Sequence, residues 1–264
     1  MALAKELETL KEYKCPEGEC VLSVYLNTDR SNQDQQKGEW KIRLKNGLRK
    51  LEEYLEASSN DEPLKNYQKI KKKVEKEIQG NQTNLQKSVV IFASEDKDLW
   101  SVHYLQLPVE TQFHWESSPV TDQLEKLQEE YPTAGIVLTN MDEIRIIDTA
   151  LGEVNDTRTY TFDPEVEKWT FKDGMGATNA MQSGASHVDK VQQRFEENMQ
   201  RFYKDIAGNI DQMKRDRNWK SVYLVGEPEM TRTLESQLRA NVEKSVNKNL
   251  VNARPSQVLA NVFN

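Results

Sequence analysis

The spacing of apolar side chains along the chain sets out an alternating series of helices and strands. Leu3, Leu7 and Leu10 stand at helical steps, and Pro16 with Gly18 ends that rhythm before Cys20-Val21-Leu22-Ser23-Val24-Tyr25-Leu26. A short, nearly continuous apolar run that follows turn residues predicts a buried strand. After a polar stretch at 27–39, Trp40, Leu44, Leu48, Leu51 and Leu55 fall on one face of a helix, and Leu64, Tyr67, Ile70, Val74 and Ile78 repeat the pattern beyond Pro63. The two segments predict a helical hairpin. Ser88–Ala93 reads as a strand, and Leu99–Leu105 alternates enough to pair with it through the polar turn at Ser94–Asp98. Pro108 and Pro119 bracket a further extended piece containing Phe113 and Trp115.

The second half opens with an amphipathic helix over Asp122–Tyr131, followed by Gly135–Thr139 and Glu143–Asp148 as adjacent strands around an Asn140-Met141-Asp142 turn. Another strand is expected at Thr157–Phe162. From 163 to 186 the periodicity disappears, leaving Gly174, Gly176 and Gly184 among small and polar neighbours, a long loop of the kind reserved for function or disorder. Ser186 with Asp189 has the form of a capping box ahead of a helix marked by Val188, Val191, Phe195, Met199, Phe202, Ile206, Ile210 and Met213. Ser221–Gly226 supplies a buried strand, and a final helix is expected from Glu229 to Asn249. The fold class is α/β: an α+β domain over residues 1–119, then a layered α/β domain over 120–264 with its long loop at 163–186 and its long helix at 187–213. Composition alone places the boundary, between Ser117 and Thr121.

Charge narrows the partners. The net charge is −7, and residues 1–119 carry 18 basic against 20 acidic groups, so no general field draws the protein to DNA or RNA and any RNA contact must be local. No window approaches the roughly 20 apolar residues of a spanning helix, and the N-terminus lacks the apolar core of a signal peptide, which points to the cytoplasm and away from membranes. Cys15 and Cys20 have neither zinc-site nor redox-pair spacing, and read as a turn cysteine beside a strand-entry cysteine.

Few residues suggest chemistry. Gly174-Met175-Gly176 is followed by no Gly-Lys-Ser/Thr and preceded by Asp163, Glu165, Glu167 and Asp173, which argues against a phosphate loop. His103, His114 and His187 have no metal-ligand spacing and read as surface or half-buried. Asp142, Glu143 and Asp148 are explained by turn and strand-edge placement. No metal or cofactor is expected. Lys69, Lys71, Lys72, Lys73 and Lys76 form the densest basic run, with 69, 72, 73 and 76 on the face opposite the apolar stripe. Lys190, Arg194, Arg201 and Lys204 stand on the long helix among Glu196, Glu197 and Asp205. Of these, Lys72, Lys73, Lys190, Arg194, Arg201 and Lys204 are the candidate RNA contacts.

The order of elements, with the blocks Arg194-Phe195, Phe202-Tyr203-Lys204-Asp205-Ile206-Ala207 and Val222-Tyr223-Leu224-Val225-Gly226-Glu227-Pro228, resembles the archaeo-eukaryotic class of peptide-chain release factors, and more narrowly its bacterial homologues. The resemblance implies an RNase H-like middle domain and a role in termination, ribosome rescue or quality control, with a ribosome or tRNA-containing complex as partner. In catalytic members the loop before the long helix carries Gly-Gly-Gln, which positions water against the peptidyl-tRNA ester. Matching the helix blocks puts that tripeptide at Gly184-Ala185-Ser186, where one glycine remains; Gly174-Met175-Gly176 has no following glutamine, and Gln182 has no glycine pair before it. A Cβ opposes the close backbone approach that glycine permits, and without the amide the water loses its holder. The third, ribosomal-protein-like domain common to the family also has no counterpart in the 264 residues. The resemblance therefore implies a ribosome-associated protein without Gly-Gly-Gln hydrolysis, as in the Pelota-type factors that occupy stalled ribosomes. Two other readings stay open: a peptidyl-tRNA hydrolase that uses Gln182 or Ser186, and a protein-interaction module that no longer binds the ribosome.

Overall fold

The computed structural model describes residues 3–16, 18–31, 38–58, 61–95, 99–163, 168–172 and 185–263. They form a mixed α/β protein of two units, one of residues 1–130 with 151–153 and one of residues 131–150 with 154–264. The helix expected to open the second half thus groups with the first.

The first unit is built from α1 (Leu3–Glu12), β1 (Val21–Asn27), α2 (Glu39–Ala57), α3 (Asp61–Gly80), β2 (Ser88–Ala93), β3 (Trp100–Leu105), β4 (Gln112–Glu116) and α4 (Asp122–Glu130). Its antiparallel sheet has the order β3-β2-β1-β4. β1 and β2 are the inner strands, which explains their nearly unbroken apolar runs: both faces need cover. Leu22, Val24 and Leu26 join Val89 and Ile91 beneath α2 and α3, in one core with Trp40, Leu48, Tyr67 and Val74. The helical hairpin follows the predicted stripes, and it is pinned where the Tyr67 hydroxyl donates to the Leu48 carbonyl at 2.6 Å. Glu52 of α2 ties the pair again, 2.6 Å from Lys71 Nζ and 2.9 Å from Gln68 Nε2. Gly47 lets α2 cross directly over the Phe113 ring of β4, where any Cβ would overlap the ring.

The second unit contains β5 (Ala134–Thr139), β6 (Glu143–Ala150), β7 (Glu153–Asp163), β8 (Lys168–Lys172), α5 (Ala185–Arg217), β9 (Ser221–Val225), α6 (Pro228–Gln237), β10 (Val242–Val246) and α7 (Pro255–Phe263). Its sheet runs β10-β9-β5-β6-β7-β8, with β10, β9 and β5 parallel and β6 antiparallel to β5. β5 thus lies inside the sheet between β9 and β6, with β10 and β8 at the two edges. α5 lies on one face, where Phe202, Tyr203, Ile206 and Ile210 meet Val137, Ile144, Ile146 and Phe162. Phe162 and Phe202 pack with ring centroids 4.4 Å apart. Isolated, a helix of 33 residues would fray; burying aromatic and branched side chains at about 1.5–3 kcal/mol each is what fixes it.

Four expectations need correction. The final helix, expected from Glu229 to Asn249, is α6, then β10, then α7. Met230, Leu234, Leu238, Val242 and Val246 keep a four-residue step throughout, but the buried Asp211 carboxylate accepts the Arg239 and Ala240 N–H groups at 3.1 and 2.9 Å and turns the chain into β10. Second, a strand occupies Lys168–Lys172, inside the stretch expected to be one loop, and pairs with β7. Third, α5 starts at Ala185, so Ser186 lies inside its first turn instead of capping it. Fourth, Cys15 and Cys20 are joined in a disulfide, because the turn between them, with Gly18 at φ +71°, brings their Cα atoms to 6.0 Å. No helix among the described residues is long and apolar enough to cross a membrane.

Candidate functional site

The loop expected to carry function, with Gly174, Gly176, Gln182 and Gly184, lies outside the described residues. Ala185 and Ser186 are the first two residues of α5, so two of the three positions matched to the tripeptide belong to a helical first turn. Lys190 and Arg194 also lie on α5, in the stretch whose side chains are not described. Arg201 and Lys204, further along, are exposed, and the Arg201 guanidinium sits 5.1 Å from the Phe202 ring centre. Behind them α5 is held firmly. Tyr203 is fully buried with its hydroxyl 2.8 Å from Thr139 Oγ1, and burial raises its pKa far above the ordinary phenol value.

Lys72 and Lys73 stand on α3, in the other unit, and both are exposed. They differ in what they offer. Lys73 Nζ pairs with Glu95 at 2.8 Å, whereas Lys72 joins no ion pair among the described residues.

One polar cluster was not foreseen. His103, expected at or near the surface, is only 4 % exposed on β3. Its Nδ1 lies 3.0 Å from Glu153 Oε1, and its Nε2 lies 3.0 Å from Glu6 Oε2 and 3.1 Å from Ser101 Oγ. Ser101, His103 and Glu153 have the connectivity of a hydrolytic serine-histidine-acid array. Glu6 works against that chemistry: a carboxylate facing each nitrogen favours the doubly protonated ring, which has no lone pair to take a proton from Ser101. Burial lowers the imidazolium's pKa, but the hydrogen bond and charge of Glu153, with those of Glu6, leave it raised. The cluster is a clamp that holds α1 to the sheet.

A second buried network closes the end of α5. Asp148 accepts from Trp219 Nε1 at 2.6 Å and from Arg217 Nη1 at 2.9 Å, and Arg217 Nη2 reaches Asp156 at 2.5 Å. Burial and the two carboxylates act oppositely on Arg217, and its pKa is raised. Asp148 is therefore committed to structure. Among the described residues no group of three or more His, Cys, Asp and Glu side chains is placed to hold a metal ion.

Against this geometry, the sequence profile of bacterial archaeo-eukaryotic release factor family 5 matches residues 132–264, the second unit almost whole. Along its full length the chain is 31 % identical to "Uncharacterized protein YocB" of Bacillus subtilis (strain 168), covering 99 % of that protein. Among solved structures, the archaeal translation termination factor aRF1 is similar over 93 % of this chain at 15 % identity and a TM-score of 0.36, and the chain spans 65 % of that factor's length. A structure described as "Archaeal protein" is similar over 97 % of this chain at 14 % identity and a TM-score of 0.34.

Proposed function

The chain belongs to bacterial archaeo-eukaryotic release factor family 5, and from that premise we propose that it is a cytoplasmic, ribosome-associated protein that occupies the site of a release factor without hydrolysing peptidyl-tRNA. The family match supports a release-factor-related role. Non-hydrolytic action is supported by one observation: the positions matched to the water-holding tripeptide are Gly184, Ala185 and Ser186, and the last two start a helix. A methyl group and a short hydroxyl, on backbone already committed to helical dihedrals, cannot reproduce a bare backbone followed by a long amide. Such a protein acts by occupancy, in rescue or quality control, and its partner is a ribosome carrying tRNA.

Co-sedimentation with stalled ribosome complexes at low salt tests this, using the full chain and a variant lacking residues 172–186. The full chain is expected in the ribosomal pellet and the loop-deleted protein to be depleted from it. A full chain found wholly in the supernatant contradicts the reading.

A further inference from the structure

The family match ends short of the first unit, yet the chain's densest basic run is found there. Over residues 39–80 the α2–α3 hairpin carries 11 basic against 8 acidic groups, while the rest of the chain carries 25 against 35. The distribution on α3 matters more than the total. Lys65, Lys69, Lys72 and Lys76 follow one another at steps of four, three and four, and all four are exposed. That spacing makes a straight row along the helix, about 16 Å from first to last at 1.5 Å per residue.

Part of the hairpin's acidic charge is engaged by other residues, while the exposed Glu62 stands three residues before Lys65 and Glu75 three after Lys72. Glu52 is taken by Lys71 at 2.6 Å, on the side of α3 that meets α2, and Glu77 accepts from the Tyr104 hydroxyl at 3.2 Å. Glu95 is taken by Lys73. None of the four lysines in the row joins an ion pair among the described residues. A groove of about 450 Å³ between the helices is lined by the exposed Lys41 and Lys45 of α2 and by Glu75 of α3, while Arg49, one turn beyond Lys45, pairs with Glu53 at 2.9 Å.

We infer that this face of the hairpin docks on the phosphate backbone of structured RNA. Four exposed lysines in line repel one another, an effect that Glu52 near Lys72 and Glu95 near Lys69 offset only in part, so a supplied counter-charge stabilises the row. A row at near-constant spacing fits a polymer whose charges also repeat at near-constant spacing. Lysine is a point charge with rotatable donors, suited to phosphate oxygens and indifferent to sequence, and no aromatic side chain lies on the row to stack bases. The contact is therefore to the backbone of a duplex, and it is independent of base sequence. The choice of RNA over another polyanion rests on the ribosome-directed reading above; the row and its charge do not.

The test is fluorescence anisotropy of a labelled RNA hairpin against salt, with the full chain. Four phosphate contacts on a duplex give a slope of log affinity on log salt of about −3.6, or a loss of roughly 150-fold between about 50 and 200 mM. Replacing Lys65, Lys69, Lys72 and Lys76 by Gln is expected to flatten the slope and cost at least about 10-fold at the lower salt, whereas neutralising Lys126 and Lys220 changes neither. Circular dichroism verifies the fold, and the double variant Lys65→Gln/Lys76→Gln, with about half the loss in slope, serves if the quadruple one is unstable. Unchanged binding by both lysine variants, no binding by the wild type at low salt, or equal displacement by polyglutamate overturns the inference. Ribosome pelleting separates the two proposals. Pelleting of wild type and quadruple variant alike sinks the RNA surface and spares the function; RNA binding without pelleting does the reverse.

Discussion

His103 shows how a residue with no telling sequence context becomes decisive once its neighbours arrive. Its partners Glu6 and Glu153 are 97 and 50 positions away, so no spacing rule links them. Because the folded ring binds its proton more tightly than the unfolded one, the clamp is fully stabilising below the ordinary value of 6.5 and weakens as pH rises through the raised folded value. The midpoint of urea unfolding should fall from pH 6 toward pH 9, and His103→Gln should flatten that profile. Parallel profiles would show that the cluster does not titrate with folding. Asp148 is the counterpart in the second unit. Asp148→Ala strands the Trp219 N–H and leaves Arg217 with Asp156 alone, and should destabilise by about 3 kcal/mol in denaturant titration. A loss below about 0.5 kcal/mol would mean that the network contributes little.

At the scale of elements, the legible parts were those whose periodicity and packing agree. Trp40 to Leu55 and Leu64 to Ile78 keep strict stripes, and each stripe is buried against β1 and β2. The same four-residue step from Met230 to Val246 misled, because helical spacing also fits a short helix followed by a strand that begins on the same core. What ends α6 is a carboxylate on another helix, which no local pattern encodes. Asp211→Ala removes two charge-assisted acceptors and should cost about 2 kcal/mol, with faster amide exchange at Arg239 and Ala240. Unchanged exchange there would assign the break to the sheet alone. β8 escaped notice for a related reason. It is short and lies at the sheet edge, where the half-exposed Phe171 packs against Tyr160.

For the whole molecule, the α/β class and the family were readable from the order of apolar runs and a few helix blocks, whereas composition set the boundary near 117–121 and the structure groups residues 1–130 with 151–153. The candidate loop is recognisable only as a failure of periodicity between two well-patterned segments. Its chemistry was read from what replaces the tripeptide, not from anything that loop contains. The account therefore joins two statements: the protein reaches the ribosome, and it leaves the ester intact. A single experiment reads both. Purified protein is added to ribosomes carrying labelled peptidyl-tRNA, the mixture is pelleted, and protein in the pellet is measured together with peptide freed from tRNA. The account predicts protein in the pellet and label still on tRNA; rapid release of labelled peptide, or protein left in the supernatant, would contradict it.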